Sequence, residues 1–365
     1  MITRTAPGKL FVVGEYAVVE SGRQAIVMPV DRRVSVTVAA APAPLPDVTI
    51  GSDMLSSTVG FTRSEVRLRP TIAGSPHPAK LRHVVSAIEV VQRFVAERGL
   101  PVLPIQVAIT SELHDDGIKL GLGSSGAVTV ATVAALSAFH GLDLPLEQRF
   151  RLAMLATARV DPKSSGGDLA ASTWEDWVAY SAPDRTEILA MTERFGVDHT
   201  IHADWPGLSV QRLTPPANLT LEVGWTGTPS SSPVMVAGLA RHKRKYSTFY
   251  RSFLWRSDEC VHLSLAALRA GDSAGLVEQI RRFRQLMETA DRVARVGIFT
   301  DRLNTLCRTA AEAGGEAKPS GSGGGDCGIA AFTGAEQPEL DHLRTRWRHA
   351  GIRPLAINIP GDRQR

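Results

Sequence analysis

The chain is poor in cysteine and has no long apolar run. Among its 365 residues only Cys260, Cys307 and Cys327 are cysteine. That odd number, without metal-ligand spacing, argues against a disulfide-built fold and points to a reducing compartment. No stretch approaches the ~18 consecutive apolar residues that a membrane-spanning helix needs. The segment Met1 to Leu10 has no basic region leading into an apolar one, so no secretory signal is expected and the cytoplasm is the simplest placement. Nor is there an excess of one charge, since the formal net charge is only +4. The compact basic run His242-Lys243-Arg244-Lys245-Tyr246 is short and reads as a solvated face, so no nucleic-acid partner is expected. His199 and His202 have H-x-x-H spacing, but no neighbouring Glu or Cys completes a metal set. No repeat of solenoid period is present.

What is present is the composition of a soluble enzyme: 43% hydrophobic and 21% charged residues, in a chain long enough for two domains. Leu10 to Val19 reads as an apolar strand interrupted by Gly14-Glu15. Val34, Val36 and Val38 alternate within a strand over 30–41, and Ile105, Val107 and Ile109 within another over 104–113. Leu81, Val84, Val85, Ile88, Val91 and Val95 give an amphipathic helix that Gly99 stops. Ala127 to Phe139 predicts a buried helix, and Leu146 to Val160 a further one. After a boundary placed within 185–207, strands are expected at 209–213, 220–225, 328–332 and 353–359. Helices are expected near 256–270, 273–288, 299–313 and 338–350. Strands and helices alternate without a regular βαβ beat, which predicts an α+β fold, divided into domains 1–190 and 191–365.

Gly121-Leu122-Gly123-Ser124-Ser125-Gly126 matches G-x-G-x-x-G. As a dinucleotide fingerprint it would need a strand running into the glycines and an acidic residue about 20 positions on. Here a polar turn precedes the loop, and Asp143 lies in another turn. A phosphate cradle fits better, because glycines admit an anion to the backbone and the following helix offers free N–H groups and the positive end of its dipole. Ser124 and Ser125 add hydroxyls able to cap the helix, bind phosphate or ligate Mg²⁺, and Lys119 is within reach. The pattern G-x-x-x-x-G-K-[ST] is absent, which excludes a P-loop NTPase. The plain alternative is a capped, buried helix entered through a flexible turn.

Two other segments carry weight. Ala6 to Val19 places Lys9 and Glu15 inside apolar sequence, where charges are costly unless paired with each other or functional. Lys318 to Gly328 contains a glycine run suited to close backbone packing on another segment or on a ligand.

In this order the three segments resemble the three motifs of the GHMP kinases, and the resemblance spans Pro7 to Gly328. The wording is nearest the phosphomevalonate kinase branch: Pro7-Gly8-Lys9-Leu10-Phe11 with Gly14-Glu15-Tyr16-Ala17-Val18, then Lys119 to Val128, then Gly321 to Ile329. Ser165-Gly166-Gly167-Asp168 and Gly224-Trp225-Thr226-Gly227 resemble that branch as well. The resemblance implies a domain like ribosomal protein S5 domain 2 followed by a ferredoxin-like domain, with the site in the cleft between them. It implies ATP and Mg²⁺ as cofactors, phosphomevalonate as acceptor, and a monomer or homodimer. Lys9 and Asp168 would be catalytic. Lys119 and Gly121, Leu122, Gly123, Ser124, Ser125 and Gly126 would embrace ATP, with Ser124 or Ser125 on Mg²⁺. Lys9, Glu15, Tyr16, Ser165, Gly166, Gly167, Asp168, Ser320, Gly321, Ser322, Gly323 and Gly324 would line the acceptor side.

Other acceptors within the family, such as mevalonate or another hydroxy acid, stay open at this level. So do a nicotinamide-dependent oxidoreductase and a nucleotide-binding regulator with an inert site. Asp168 alternatively reads as a helix N-cap, and Ser320 and Ser322 as ordinary loop polarity. Arg281, Arg282, Arg284, Lys243 and Lys245 are candidates for a second anion. The adenine is expected between the strand near Val34 and the helix near Leu81. Glu175 and Asp176 stand where that branch favours glycine; facing the cleft they would repel an anionic acceptor, and facing outward they would be bystanders.

Overall fold

The computed structural model describes residues 1–41, 46–65, 67–72, 78–230, 235–236, 238 and 247–358. The basic run with Lys243 and Lys245 lies outside them. The first half contains strands β1 (Ile2–Val13), β2 (Gln24–Ala40), β3 (Val48–Ser52), β4 (Val59–Ser64) and β5 (Arg67–Pro70), then helix α1 (Pro78–Glu97) and β6 (Ile105–Ser111). A two-stranded turn, β7 (His114–Asp115) and β8 (Ile118–Lys119), leads into α2 (Ser124–Phe139), α3 (Leu146–Val160), α4 (Gly167–Trp174), β9 (Trp177–Ser181), α5 (Arg185–His202) and β10 (Ser209–Leu213). Eight strands form one sheet in the order β10-β9-β2-β6-β3-β4-β5, with β1 paired to β2. The pairing of β3 with β6 is parallel and the others are antiparallel.

Period-two patterning sets this sheet's inner face. Val34, Val36 and Val38 of β2 and Ile105, Val107 and Ile109 of β6 are buried, while Gln106, Ala108 and Thr110 face solvent. Helix α2 is buried nearly all round. Its many small residues let it lie against β1, β2, α1, α3 and α4 at once. The fold thereby fixes the N-terminus of α2, and the glycine loop before it, in the middle of the molecule.

The second half holds β11 (Leu219–Trp225), α6 (Ser247–Ala270), α7 (Ser273–Ala294), α8 (Asp301–Glu312), β12 (Glu316–Pro319), β13 (Cys327–Thr333), α9 (Gln337–His349) and β14 (Arg353–Leu355). Its sheet runs β12-β13-β11-β14. A separate small core, with Leu306, Phe332, Leu343 and Trp347, packs α8 and α9 on that sheet. The architecture is α+β, as expected. Sheet membership divides the chain between Leu213 and Leu219 rather than at 190, because α5 runs through that point and β10 pairs with β9. Among the described residues no helix is long and apolar enough to cross a membrane.

Candidate active site

A cavity of about 350 Å³ opens between the halves, at the N-termini of α2 and α4. Its floor is the glycine loop, and each of that loop's glycines makes room for an ionic side chain from elsewhere. A methyl group on Gly121 would lie 2.4 Å from Cβ of Asp326. One on Gly123 would lie 2.9 Å from Cε of Lys9, and one on Gly126 would lie 2.5 Å from Oδ2 of Asp168. Gly121 and Gly123 also have φ of 76° and 79°, left-handed backbone that favours glycine. Thus β1, α4 and the segment before β13 each deliver one charge onto the same loop.

Lys9 is held from both sides. Its backbone N–H donates to the Leu122 carbonyl (2.8 Å), and its ammonium sits 5.3 Å from the Phe11 ring centroid. A methyl group on Gly321 would be 3.9 Å from Nζ, so the side chain reaches from the first glycine loop to the second. Asp168 faces it from α4. Burial pushes the Asp168 carboxyl above its usual range, while Lys9 and the Leu169 N–H (3.0 Å to Oδ1) pull it back down. The cap of α4 is Gly166; Asp168 follows Gly167 in the helix's first turn, so the N-cap reading of Asp168 does not hold.

The second glycine segment is stitched to the first motif. Lys318 pairs with Glu15, whose Oε1 also accepts from the Gly321 N–H (3.3 Å). The Tyr16 hydroxyl donates to the Ser322 carbonyl, and burial raises that phenol's pKa. Glu15 is therefore not the partner of Lys9. Ser320 corrects its expectation: its Oγ accepts from the Phe11 N–H (2.8 Å) and donates to the Phe11 carbonyl (3.1 Å), beneath the cavity surface. Among residues expected to touch ligand, Lys9, Glu15, Tyr16, Lys119, Gly121, Gly123, Ser124, Ser125, Gly126, Ser165, Asp168, Gly321 and Ser322 line the cavity.

Leu122, Gly166, Gly167, Gly323 and Gly324 do not line it, for steric reasons. The Leu122 side chain is buried in the core. A methyl group on Gly166 would strike Met154, one on Gly167 Phe11, one on Gly323 Ile298, and one on Gly324 Met235 and Ser230. These glycines let backbone pack on protein rather than on ligand. The acidic pair points away: Glu175 binds Arg33 (2.8 Å) and Asp176 caps the Trp177 N–H (2.9 Å). Arg281 and Arg282 are engaged by Glu278, and Arg284 by Glu316 and Glu288, outside the cavity. Among the described residues no His, Cys, Asp and Glu group suited to a metal exists, His199 and His202 included.

Sequence reasoning missed Arg82, His83, Lys163 and Asp326, which also line the cavity. Val34 is buried in the core, so of the expected adenine neighbours only the helix near Leu81 reaches it. Asp326 had one local signal, a charged residue ending a glycine run, and it adopts φ of 54°. Burial lowers the His83 pKa to about 4, aided by Arg82 and Lys119 and opposed by Asp161. The folded protein thus binds this proton more weakly than the unfolded chain. Stability present above pH 6.5 is lost as the pH falls toward about 4. Urea unfolding at pH 7 and pH 4 should show wild type losing about 2–3 kcal/mol more than His83→Gln.

Residues 82–176 match the family model for the GHMP kinases N terminal domain, and residues 264–352 that for GHMP kinases C terminal. The chain is 51% identical over 360 residues to a phosphomevalonate kinase of Streptomyces sp. (strain CL190), covering 98% of this chain and 96% of that one. The chain belongs to the GHMP kinases. Two solved structures share the fold of this GHMP kinase throughout. A phosphomevalonate kinase from Streptococcus pneumoniae, in complex with phosphomevalonate and AMPPNP, superposes with a TM-score of 0.85 at 29% identity, covering 98% of this chain and all (100%) of that one. A Lin0012 protein from Listeria innocua gives 0.89 at 30% identity, over 98% and 97% of the two chains. The sheets on either side of the cleft are those of the two-domain GHMP kinase fold expected from the motifs.

Proposed function

We propose that this kinase transfers the γ-phosphate of ATP to phosphomevalonate, giving diphosphomevalonate and ADP. The observation that carries the reading is the convergence of Lys9, Asp168 and Asp326 on one glycine loop, within a chain similar throughout to phosphomevalonate kinases. ATP phosphates would lie on the N–H groups at the start of α2, with Lys119 beside them. The donor set fits Mg²⁺ of the kind that keeps several waters and is held mainly by nucleotide phosphates, with Ser124 or Ser125 and one carboxylate from the protein. Bound there, Mg²⁺ would neutralise charge on the triphosphate. Lys9, reaching both glycine loops, would stabilise the charge that spreads over the transferring phosphoryl group. Glu175 and Asp176 point outward and so add no repulsion against an anionic acceptor. Three buried, unpaired cysteines suit a cytoplasmic enzyme.

The role of Asp168 depends on whether the acceptor is a phosphate or an alcohol. A phosphate monoester has its second pKa near 6 and is mostly ionised at neutral pH, so little proton removal is required. Asp168 then chiefly orients Lys9. Asp168→Asn should lower kcat by about tenfold, short of the roughly 10²–10⁴ that a general base supplies. Phosphorus NMR of the product is the direct experiment. Coupled diphosphate resonances arising from the acceptor support the reading, and phosphorylation of a hydroxyl contradicts it.

A further inference from the structure

Among the described residues the carboxylates lining the cavity are Glu15, Asp161, Asp168 and Asp326. The first three have local partners. Lys318 pairs with Glu15, Lys9 is the main charge drawing the Asp168 carboxyl down, and Asp161 Oδ1 accepts from the Lys163 N–H (3.0 Å) in the turn after α3. Asp326 differs. Its Oδ1 accepts from the Ser230 N–H (3.0 Å), while its Oδ2 has no hydrogen bond or ion pair among the described residues. The residue is half-buried, and this oxygen, unlike Glu15 Oε2, is not sealed from solvent.

Asp326 lies against the start of the phosphate cradle. A methyl group on Gly121 would be 2.5 Å from its Cγ and 2.8 Å from its Oδ1. It follows Gly323, Gly324 and Gly325 and itself adopts φ of 54°, which glycine would take with less strain. Its backbone asks for no side chain: the N–H donates to the Thr228 carbonyl (2.7 Å) and the carbonyl accepts from the Thr226 N–H (2.9 Å). Glycine would serve both bonds, so the feature particular to this position is the carboxylate. The Ser230 N–H accounts for one of its oxygens, and the other is left toward the cavity.

A carboxylate at the mouth of a phosphate cradle repels a bare triphosphate. It attracts the same nucleotide once a divalent cation sits on the phosphates, because the cation is then the largest local charge and prefers oxygen ligands. We propose that Asp326 is the carboxylate that faces the Mg²⁺ of the nucleotide, and that it makes the glycine loop bind Mg-ATP in preference to metal-free ATP. The inference rests on the Mg-ATP part of the reading above and is independent of the acceptor. Asp168, placed on Gly126 and facing Lys9, keeps its role of orienting that ammonium.

The test is calorimetric titration of the full chain with AMPPNP, in excess Mg²⁺ and again in EDTA, without acceptor. Mg²⁺ should tighten binding to wild type by about a hundredfold. Asp326→Asn keeps an oxygen for the Ser230 N–H, and asparagine tolerates the left-handed backbone. It should bind the metal-free nucleotide about tenfold more tightly and the Mg²⁺ complex about tenfold more weakly, which brings the preference close to unity. Asp326→Gly, which suits φ of 54°, should lose the preference as well, so either variant that thermal unfolding shows to be folded gives the answer. Asp168→Asn should keep the wild-type preference. A preference retained by the folded Asp326 variants, an equal loss of both affinities, or a preference lost in Asp168→Asn instead would overturn the inference and leave the phosphomevalonate reading standing. Folded wild type that binds AMPPNP under neither condition would overturn the Mg-ATP reading too.

Discussion

Replacing Lys9 with methionine is expected to lower kcat by about a thousandfold while leaving the protein folded. Methionine keeps an unbranched stem to pack over Gly123 and beside Phe11, so the floor of the cleft retains its shape. What disappears is the ammonium that reaches from the first glycine loop to the second, where charge accumulates during phosphoryl transfer. A preorganised charge of this kind is worth about 10²–10³ in turnover in a water-poor site, and a cation facing a transferring phosphoryl group lies at the upper end. The check is ADP release under saturating substrates, with thermal unfolding alongside. A kcat within tenfold of wild type would remove Lys9 from the chemistry.

Gly123→Ala should reduce kcat by about a hundredfold through a different route. The added methyl group would lie 2.9 Å from Cε and 3.0 Å from Cγ of Lys9, and alanine would have to adopt φ of 79°. The left-handed backbone costs roughly 1–2 kcal/mol, and the collision displaces the ammonium from the place its rigid loop gives it. Coupling distinguishes this from loss of fold. In a Lys9→Ala background, where the stem is gone, Gly123→Ala should cost far less than in wild type, as a double-mutant cycle over ADP release would show. Equal losses in both backgrounds would mean that the loop itself, rather than the placement of Lys9, is what alanine damages.

Lys9 and the glycine loop were legible because their local sequence is anomalous: a lysine inside an apolar strand, and glycines before a helix too apolar to be a surface one. The strong alternation of β6 and the periodicity of α1 likewise placed the main layers. Where patterning is weak, elements were lost. Strand β1 begins at Ile2 rather than Leu10, its first residues being Thr3, Arg4 and Thr5, polar and held by the ladder with β2. Strands β3, β4 and β5 are short. Helix α5 is kinked at Gly196 (φ 88°), which blurs any helical period.

The site shows the same division. Glycine in sequence signals close approach but not to what, so Gly166, Gly167, Gly323 and Gly324 were assigned to ligand although they pack on side chains and backbone. Ser320 and the arginines of α7 had chemistry suited to an anion, and only tertiary structure shows that their hydrogen-bonding groups are already engaged. Conversely, Arg82 and His83 come to the cavity from the start of a helix whose sequence displays nothing but amphipathic period. The Glu15–Lys318 pair joins residues 303 positions apart, a distance no local pattern spans.

The central claim is that the acceptor is a phosphate rather than an alcohol. It is tested most directly by ADP release with Mg-ATP, comparing kcat/KM for phosphomevalonate and for mevalonate under identical conditions. Efficient turnover of phosphomevalonate, with mevalonate slower by at least about a hundredfold, is the predicted result. Turnover of mevalonate alone, by folded enzyme that binds ATP, would contradict it and make Asp168 the base of an alcohol kinase.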